Sequence, residues 1–269
     1  MASPSPLVPI RRGDFALPAR RVQGAVGLVL AALILSGWLT IHAFAMFVFE
    51  LSWANLPIAL VLAALQCWLS VGLFIVCHDA MHGSLVPENP RLGGGIARVL
   101  LFIYAGFSWK RLRDAHFLHH KFAGKGGDPD FDERNPSNFL RWYATFFKRY
   151  FGWQSLLFVH AVVGFYWLVL DIPMVQIVAL YGLPALLSSL QLFYFGTYRP
   201  HRHALRQPFA DRHNARSDAF GTAASLVTCF HFGYHLEHHR RPDVPWWALP
   251  RARRAGIADR STPITEPEA

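Results

Sequence analysis

Charge is scarce in this sequence. Of its 269 residues only 16% are Asp, Glu, Lys or Arg, while 53% are apolar. Soluble domains carry about a quarter charged residues, so an ordinary water-exposed surface is excluded for much of the chain. Cysteine is scarce too. Cys67, Cys77 and Cys229 lie in or beside apolar segments without paired spacing, which excludes a disulfide framework and suits a reducing cytoplasmic face. There is no phosphate fingerprint: Gly93-Gly94-Gly95 lacks the strand-then-helix context that a nucleotide loop needs. Neither a serine nucleophile elbow nor a Cys–His pair occurs, and nothing repeats except a histidine pattern.

Long apolar runs account for the missing charge. Residues 22–49, 56–77, 153–174 and 175–197 hold no Lys or Arg. A helix of about 20 residues is about 30 Å long, enough to cross a hydrocarbon core. The net charge of +9 could suggest nucleic acid, but its distribution argues against that. All 26 Lys and Arg residues lie outside the four runs, and none lies in the connections 50–55 and 171–174. The positive-inside rule then places the N-terminus, the central loop and the C-terminal tail together in the cytoplasm. The remaining basic excess suits anionic headgroups, and no nucleic-acid partner is expected.

The expected fold is therefore an all-α integral membrane protein, with four transmembrane helices, short interfacial helices and a cytoplasmic histidine-rich cap. Residues 1–21 are Pro- and Arg-rich and read as disordered, 22–250 as the membrane domain, and 251–269 as a disordered tail. Arg11-Arg12 before Phe15 is similar to a twin-Arg signal, but the run Val22–Phe49 is too long for a signal's apolar region and reads as a retained helix. Residues 95–107 are apolar but too short to span, which predicts a re-entrant or interfacial helix. Residues 146–153 mix aromatics with cations, as an interfacial anchor does.

Histidine is what the chain has in unusual arrangement. His78 and His82 follow the second run; His116, His119 and His120 form His-x-x-His-His; His235, His238 and His239 repeat it. Residues three and four apart share a helix face, and neutral imidazole is a strong ligand for first-row metals. Eight such ligands exceed one ion's coordination number of about four to six and suit two ions. The absence of thiolates argues against a structural zinc site, but ligand type alone leaves Fe, Cu, Zn and Ni open. The Glu-x-x-His repeat of soluble di-iron bundles is absent.

His201, where the fourth run ends, reads as a ninth ligand. His203, His213 and His231 could be ligands, outer hydrogen-bond partners or pocket groups, and the sequence does not rank them. His42 and His160 lie within apolar runs and read as ordinary packing. Ligating imidazoles usually donate their second nitrogen to a carboxylate or carbonyl, which makes Asp79, Asp114, Asp128, Asp130 and Glu237 candidate partners; the alternative for each is a solvated loop charge.

These histidine patterns on a four-helix membrane scaffold resemble the integral-membrane fatty acid desaturase and hydroxylase superfamily. The flanking residues resemble its bacterial β-carotene 4-ketolases: WLSVGLFIVCHDAMHGSL at 68–85, YAGF at 104–107, GDPDF at 127–131, LQLF at 190–193, FGT at 195–197, PHR at 200–202, QPFAD at 207–211 and CFHFG at 229–233. The resemblance covers residues 22–250. It implies an O2-dependent enzyme with two iron ions (Fe2+) and ferredoxin as electron donor, in the bacterial inner membrane with both termini cytoplasmic. Its implied reaction converts C4 of a β-ionone ring to a ketone by two hydroxylations and loss of water, taking β-carotene to echinenone and canthaxanthin, and zeaxanthin to astaxanthin. The family's ligands fall on His78, His82, His116, His119, His120, His235, His238 and His239, with His201 matching an additional histidine. Phe102, Tyr104, Phe107, Phe193, Tyr194 and Phe195 either line the ring's path or pack. The alternatives are a fatty acyl desaturase, a carotenoid hydroxylase, or a non-catalytic membrane metal-binding protein; a metal transporter would place polar ligands inside the spans.

Overall fold

A computed structural model describes residues 15–203 and 209–256. Every regular element among them is helical. In chain order these are α1 (Arg20–Phe47), α2 (Leu56–Met81), α3 (Pro90–Ala105), α4 (Trp109–Phe122), α5 (Phe139–Tyr150), α6 (Trp153–Val169), α7 (Met174–His201), α8 (Thr222–Cys229), α9 (His235–Arg240) and α10 (Leu249–Arg254), with one 3-10 turn at Trp246–Ala248 leading into α10. Helix α6 ends in one π turn, and α7 contains two.

Helix α2 is the centre of the fold, packed against α1, α3 and α7. Helix α1 also lies close to the chain that follows α2, because Gly27 has no side chain: a Cβ there would lie 2.4 Å from the Leu85 carbonyl oxygen. Some polar groups inside the bundle are paired. Trp38 Nε1 donates to Ser70 Oγ at 2.9 Å, and Ser70 Oγ donates to the Gln66 carbonyl at 2.7 Å. His42 stacks on Trp38 and meets the Tyr166 hydroxyl at 2.7 Å, whereas His160 is exposed and its ring bonds to the Leu156 carbonyl. Outward-facing Val29, Leu33, Leu60, Val61, Leu168 and Val178 are exposed. So much apolar surface suits lipid rather than water.

Three helices, α1, α2 and α7, are each long and apolar enough to cross a membrane. The expected fourth span does not pass that test alone. Its helix stops at Val169, because Asp171 turns the backbone to φ +54° and Pro173 follows; residues 170–173, Leu-Asp-Ile-Pro, are not helical. It adjoins α5 at an 83° bend, and α3 and α4 meet at 102°. Counting each bent pair as one span gives up to five. The α3–α4 corner is built by Gly106, left-handed at φ +65°, where a Cβ would fall 2.6 Å from Phe158. Ser108 then caps α4 by accepting from Arg111 N.

At the chain ends, α1 starts at Arg20, inside the stretch 1–21 read as disordered, and residues 1–14 lie outside the described residues. Helix α10 enters the stretch 251–269 read as a disordered tail. Pro250 occupies its first turn, and Ala252 anchors it by complete burial. Residues 257–269 lie outside the described residues.

Candidate metal centre

Four chain segments bring histidines to one end of the bundle. His78 sits in the last turn of α2 and His82 is its C-cap. Beyond it Gly83 turns back at φ +72°, with Ser84 N and Oγ both bonded to the Asp79 carbonyl. Helix α4 carries His116, His119 and His120, α9 carries His235, His238 and His239, and α7 ends on His201.

These nine histidines form two groups. One comprises His78, His82, His116, His120 and His238; the other comprises His119, His201, His235 and His239. Within each group one nitrogen per ring lies within 4.8 Å of all the others. Residues four apart stay together, as helix geometry requires: His116 with His120 in one group, His235 with His239 in the other. The remaining member of each motif crosses over, so α4 and α9 both contribute to both groups. The rings of His120 and His239 stack at 4.3 Å across the boundary.

The Nε2 atoms face one another. They are 2.7 Å apart for His82 and His116, 3.1 Å for His78 and His238, 3.0 Å for His120 and His238, 2.9 Å for His201 and His235, and 3.0 Å for His235 and His239. Burial, then repulsion among the rings, holds His235, His238 and His239 well below their ordinary pKa and therefore neutral. Neutral imidazoles offer lone pairs, and two facing nitrogens share one proton at most. A cation between them satisfies the whole set, so the donor chemistry fits metal ions.

Two of the rings are aimed from behind. His119 Nδ1 lies 3.0 Å from both oxygens of Asp128, which also accepts from Gly124 N and Asp130 N at 2.8 Å. That bond leaves His119 Nε2 for the second group. Burial opposes charge on His119, but Asp128 outweighs it and raises the His119 pKa. His201 Nδ1 donates to the Asn214 carbonyl at 2.8 Å; a backbone acceptor has no side-chain signature, and the sequence reading missed it.

The other candidate carboxylates differ. Asp130 lies 3.7 Å from His119 Nδ1 and accepts the Tyr150 hydroxyl; burial pushes its pKa up to about 6. Asp79 is 3.8 Å from His78 Nδ1, beyond hydrogen-bond reach, and accepts from Trp246 N at 3.1 Å. Asp114 pairs with Lys110 on the exposed face of α4 and touches no histidine. Glu237 is buried against Ser217 and Arg253, tying α9 to α10 instead of holding a ring. Its side chain points away because the neighbouring positions of this short helix face the groups.

None of the three unranked histidines joins a group. His203 Nε2 meets the Gly124 carbonyl at 3.0 Å and bears on the turn that carries Asp128. His213 comes within 5.9 Å of the His239 ring, centroid to centroid. His231, left-handed at φ +64°, stacks between Tyr234 and Trp246.

A cleft enclosing about 890 Å³ of empty space, its mouth included, runs to both groups: His78 and His116 of one, His119 and His235 of the other, form part of its wall. The rest is mainly apolar and aromatic. Of the six aromatics proposed from sequence, Tyr104 and Phe107 line it. Phe193 is buried against Trp142 and Phe146, Phe102 faces outward, and Tyr194 and Phe195 pack elsewhere. Phe146, Phe147, Tyr150 and Phe151 do line it. The bend after α5 turns that expected anchor inward.

The fatty acid desaturase family pattern matches residues 51–170 and 152–264, a stretch containing all nine clustered histidines. The chain is 48% identical to the "Beta-carotene ketolase" of Paracoccus sp. (strain PC1) over 86% of this chain and 93% of that protein. It is 45% identical to the protein of the same name from Paracoccus sp. (strain N81106 / MBIC 01143), over 86% and 94% respectively. The chain belongs to the fatty acid desaturase family, in its β-carotene ketolase branch. A "Zeaxanthin 4-ketolase" of Chlamydomonas reinhardtii is 33% identical over 84% of this chain and 53% of that protein. Within this desaturase family member, the two histidine groups and the cleft that joins them form the one place where the matched motifs converge.

Proposed function

We propose that the protein is a β-carotene 4-ketolase, a di-iron membrane oxygenase that converts C4 of β-ionone rings to a ketone. β-Carotene passes through echinenone to canthaxanthin, and zeaxanthin to astaxanthin. One Fe2+ is assigned to His78, His82, His116, His120 and His238, the other to His119, His201, His235 and His239. Bound iron would supply the activation of O2, which no side chain here provides.

The observation that carries this reading is the apolar cleft whose wall includes histidines of both groups. A carotenoid is too apolar to leave the bilayer. Aromatic walls at the bundle's histidine end can receive its ring, orient it and exclude water while the polyene stays among the helices. Asp128 holds His119 in one tautomer, and the Asn214 carbonyl does the same for His201. C4 is allylic, so its C–H bond is weaker than those of a saturated chain. We place the protein in the bacterial inner membrane with both termini in the cytoplasm, where ferredoxin delivers electrons.

Expression in cells that accumulate β-carotene tests this. Echinenone and canthaxanthin are the expected pigments. Unchanged β-carotene, with protein present in the membrane, would overturn the reading; 3-hydroxylated pigment or new unsaturated fatty acids would assign it to the hydroxylase or desaturase branch.

A further inference from the structure

Apart from histidine, five side chains bring polar atoms to the wall of the cleft: Tyr104, Asp130, Tyr150, Ser189 and Thr197. Four of them are engaged. The Tyr104 hydroxyl meets Ser188 Oγ at 2.6 Å, Tyr150 donates to Asp130, and Ser189 Oγ donates to the Leu186 carbonyl at 2.8 Å and meets the Tyr143 hydroxyl at 2.7 Å. The Thr197 hydroxyl has no hydrogen-bond partner among the described residues, although the residue is only 6% exposed. A helical threonine usually donates to the carbonyl one turn back, as Thr228 does to Ala224 at 2.8 Å. Thr197 lies in the π turn Tyr194–Tyr198 and makes no such bond. It precedes His201 by four residues, and so lies on the helix face from which His201 reaches His235. An unpaired hydroxyl on a buried residue thus lines the cleft, whose wall also includes His119 and His235 of the second histidine group.

We propose that Thr197 is a positioning residue that holds the alcohol formed at C4 and keeps the ring in place for its second oxidation. The proposal rests on the ketolase reading. In the first round one oxygen atom of O2 enters a C4–H bond, giving C4–OH. The other oxygen leaves as water, taking two electrons and two protons supplied through the ferredoxin-class donor. The second round repeats this balance at the remaining C4–H bond, and the geminal diol loses water to leave C=O. β-Carotene has no oxygen to offer Thr197. The alcohol has one, and in an apolar cleft its hydroxyl needs a partner. The first product therefore binds better than the substrate, and a second round precedes release.

Thr197→Val keeps the shape and removes the hydroxyl; Thr197→Ser restores it. With β-carotene, T197V should raise the ratio of 4-hydroxy to 4-keto pigment about tenfold, the effect of one buried hydrogen bond on an equilibrium, while T197S stays near wild type. General damage would lower total product without moving that ratio. Binding gives an independent measure: by tryptophan quenching of the purified protein under argon without donor, wild type should bind 4-hydroxy-β-carotene about tenfold tighter than β-carotene, and T197V should bind both alike. An unchanged product ratio, or a binding preference that survives T197V, would overturn the proposal. So would an effect confined to zeaxanthin, which would place the contact at C3. If wild type made no ketone, the ketolase reading would fail, and the binding comparison would still decide the role of Thr197.

Discussion

Asp128 grips His119 through both carboxylate oxygens, each 3.0 Å from Nδ1. The grip fixes the tautomer that leaves Nε2 facing His201, His235 and His239. Losing such an outer partner typically costs about 10- to 100-fold in metal affinity. If the proposed two-iron centre is right, Asp128→Ala should therefore lower the iron content of purified protein from two ions per chain toward one, with the group around His78 still loaded. Retention of two tightly held ions would show that the grip serves the loop at 124–130 alone.

His201→Ala tests the proposed ninth ligand by a different route. His201 Nε2 is 2.9 Å from His235 Nε2, and the second group has four histidines against five in the first. Removing one of four should empty that group while the protein remains inserted in the membrane. His119→Ala should do the same. Quantitative iron analysis, with ketone formation measured beside it, checks both; undiminished iron in H201A would remove His201 from the ligand set.

His231 is a buried imidazole outside both groups, and burial lowers its pKa to about 4 from the usual 6.5. The folded state therefore binds fewer protons than the unfolded state between those values. Its contribution to stability is complete above pH 6.5 and is lost as pH falls toward 4. Asn cannot take up that proton, and it tolerates the left-handed backbone at φ +64°. His231→Asn should therefore lose less thermal stability than wild type on moving from pH 7 to pH 5. Melting of the detergent-solubilised protein at the two pH values measures this, and parallel losses in the two proteins would refute it.

How much of this could be read without coordinates depends on whether a feature is local. The spacing of His116 to His120 and of His235 to His239 fixes helix faces, and the end of the fourth apolar run located His201. The exchange of His119 and His238 between groups was not legible, because it depends on how α4 and α9 cross. Hydropathy merged Leu170–Pro173 into a span, since it registers apolar character and not the reversal at Asp171. Phe146 to Phe151 read as an anchor because their mixture with Lys148 and Arg149 is the same whether the segment lies flat or, as here, turns rings into a cleft. Glu237 sits within the His-x-x-His-His motif at 235–239 yet serves α10, and no spacing rule separates those roles.

Gly196 gives the cleft its shape at the histidines. A Cβ there would lie 2.8 Å from Phe232 Cε1 and 2.9 Å from Cδ1. Phe232 cannot retreat freely, because its ring already rests on His78 at 4.6 Å and His235 at 4.9 Å between centroids. Overpacking of this kind costs about 1–3 kcal/mol, paid in shifted side chains. The open side of the Phe232 ring is the cleft, whose wall it helps to form. Gly196→Ala should therefore push the ring into the space a substrate ring would occupy. Turnover of β-carotene should fall about tenfold or more, the equivalent of 1.4 kcal/mol, while the iron content stays that of wild type. Phe232→Leu in the same chain should recover part of that loss by clearing the clash. If G196A instead released iron and F232L did not restore turnover, the pair would be supporting the histidines and not shaping the cleft.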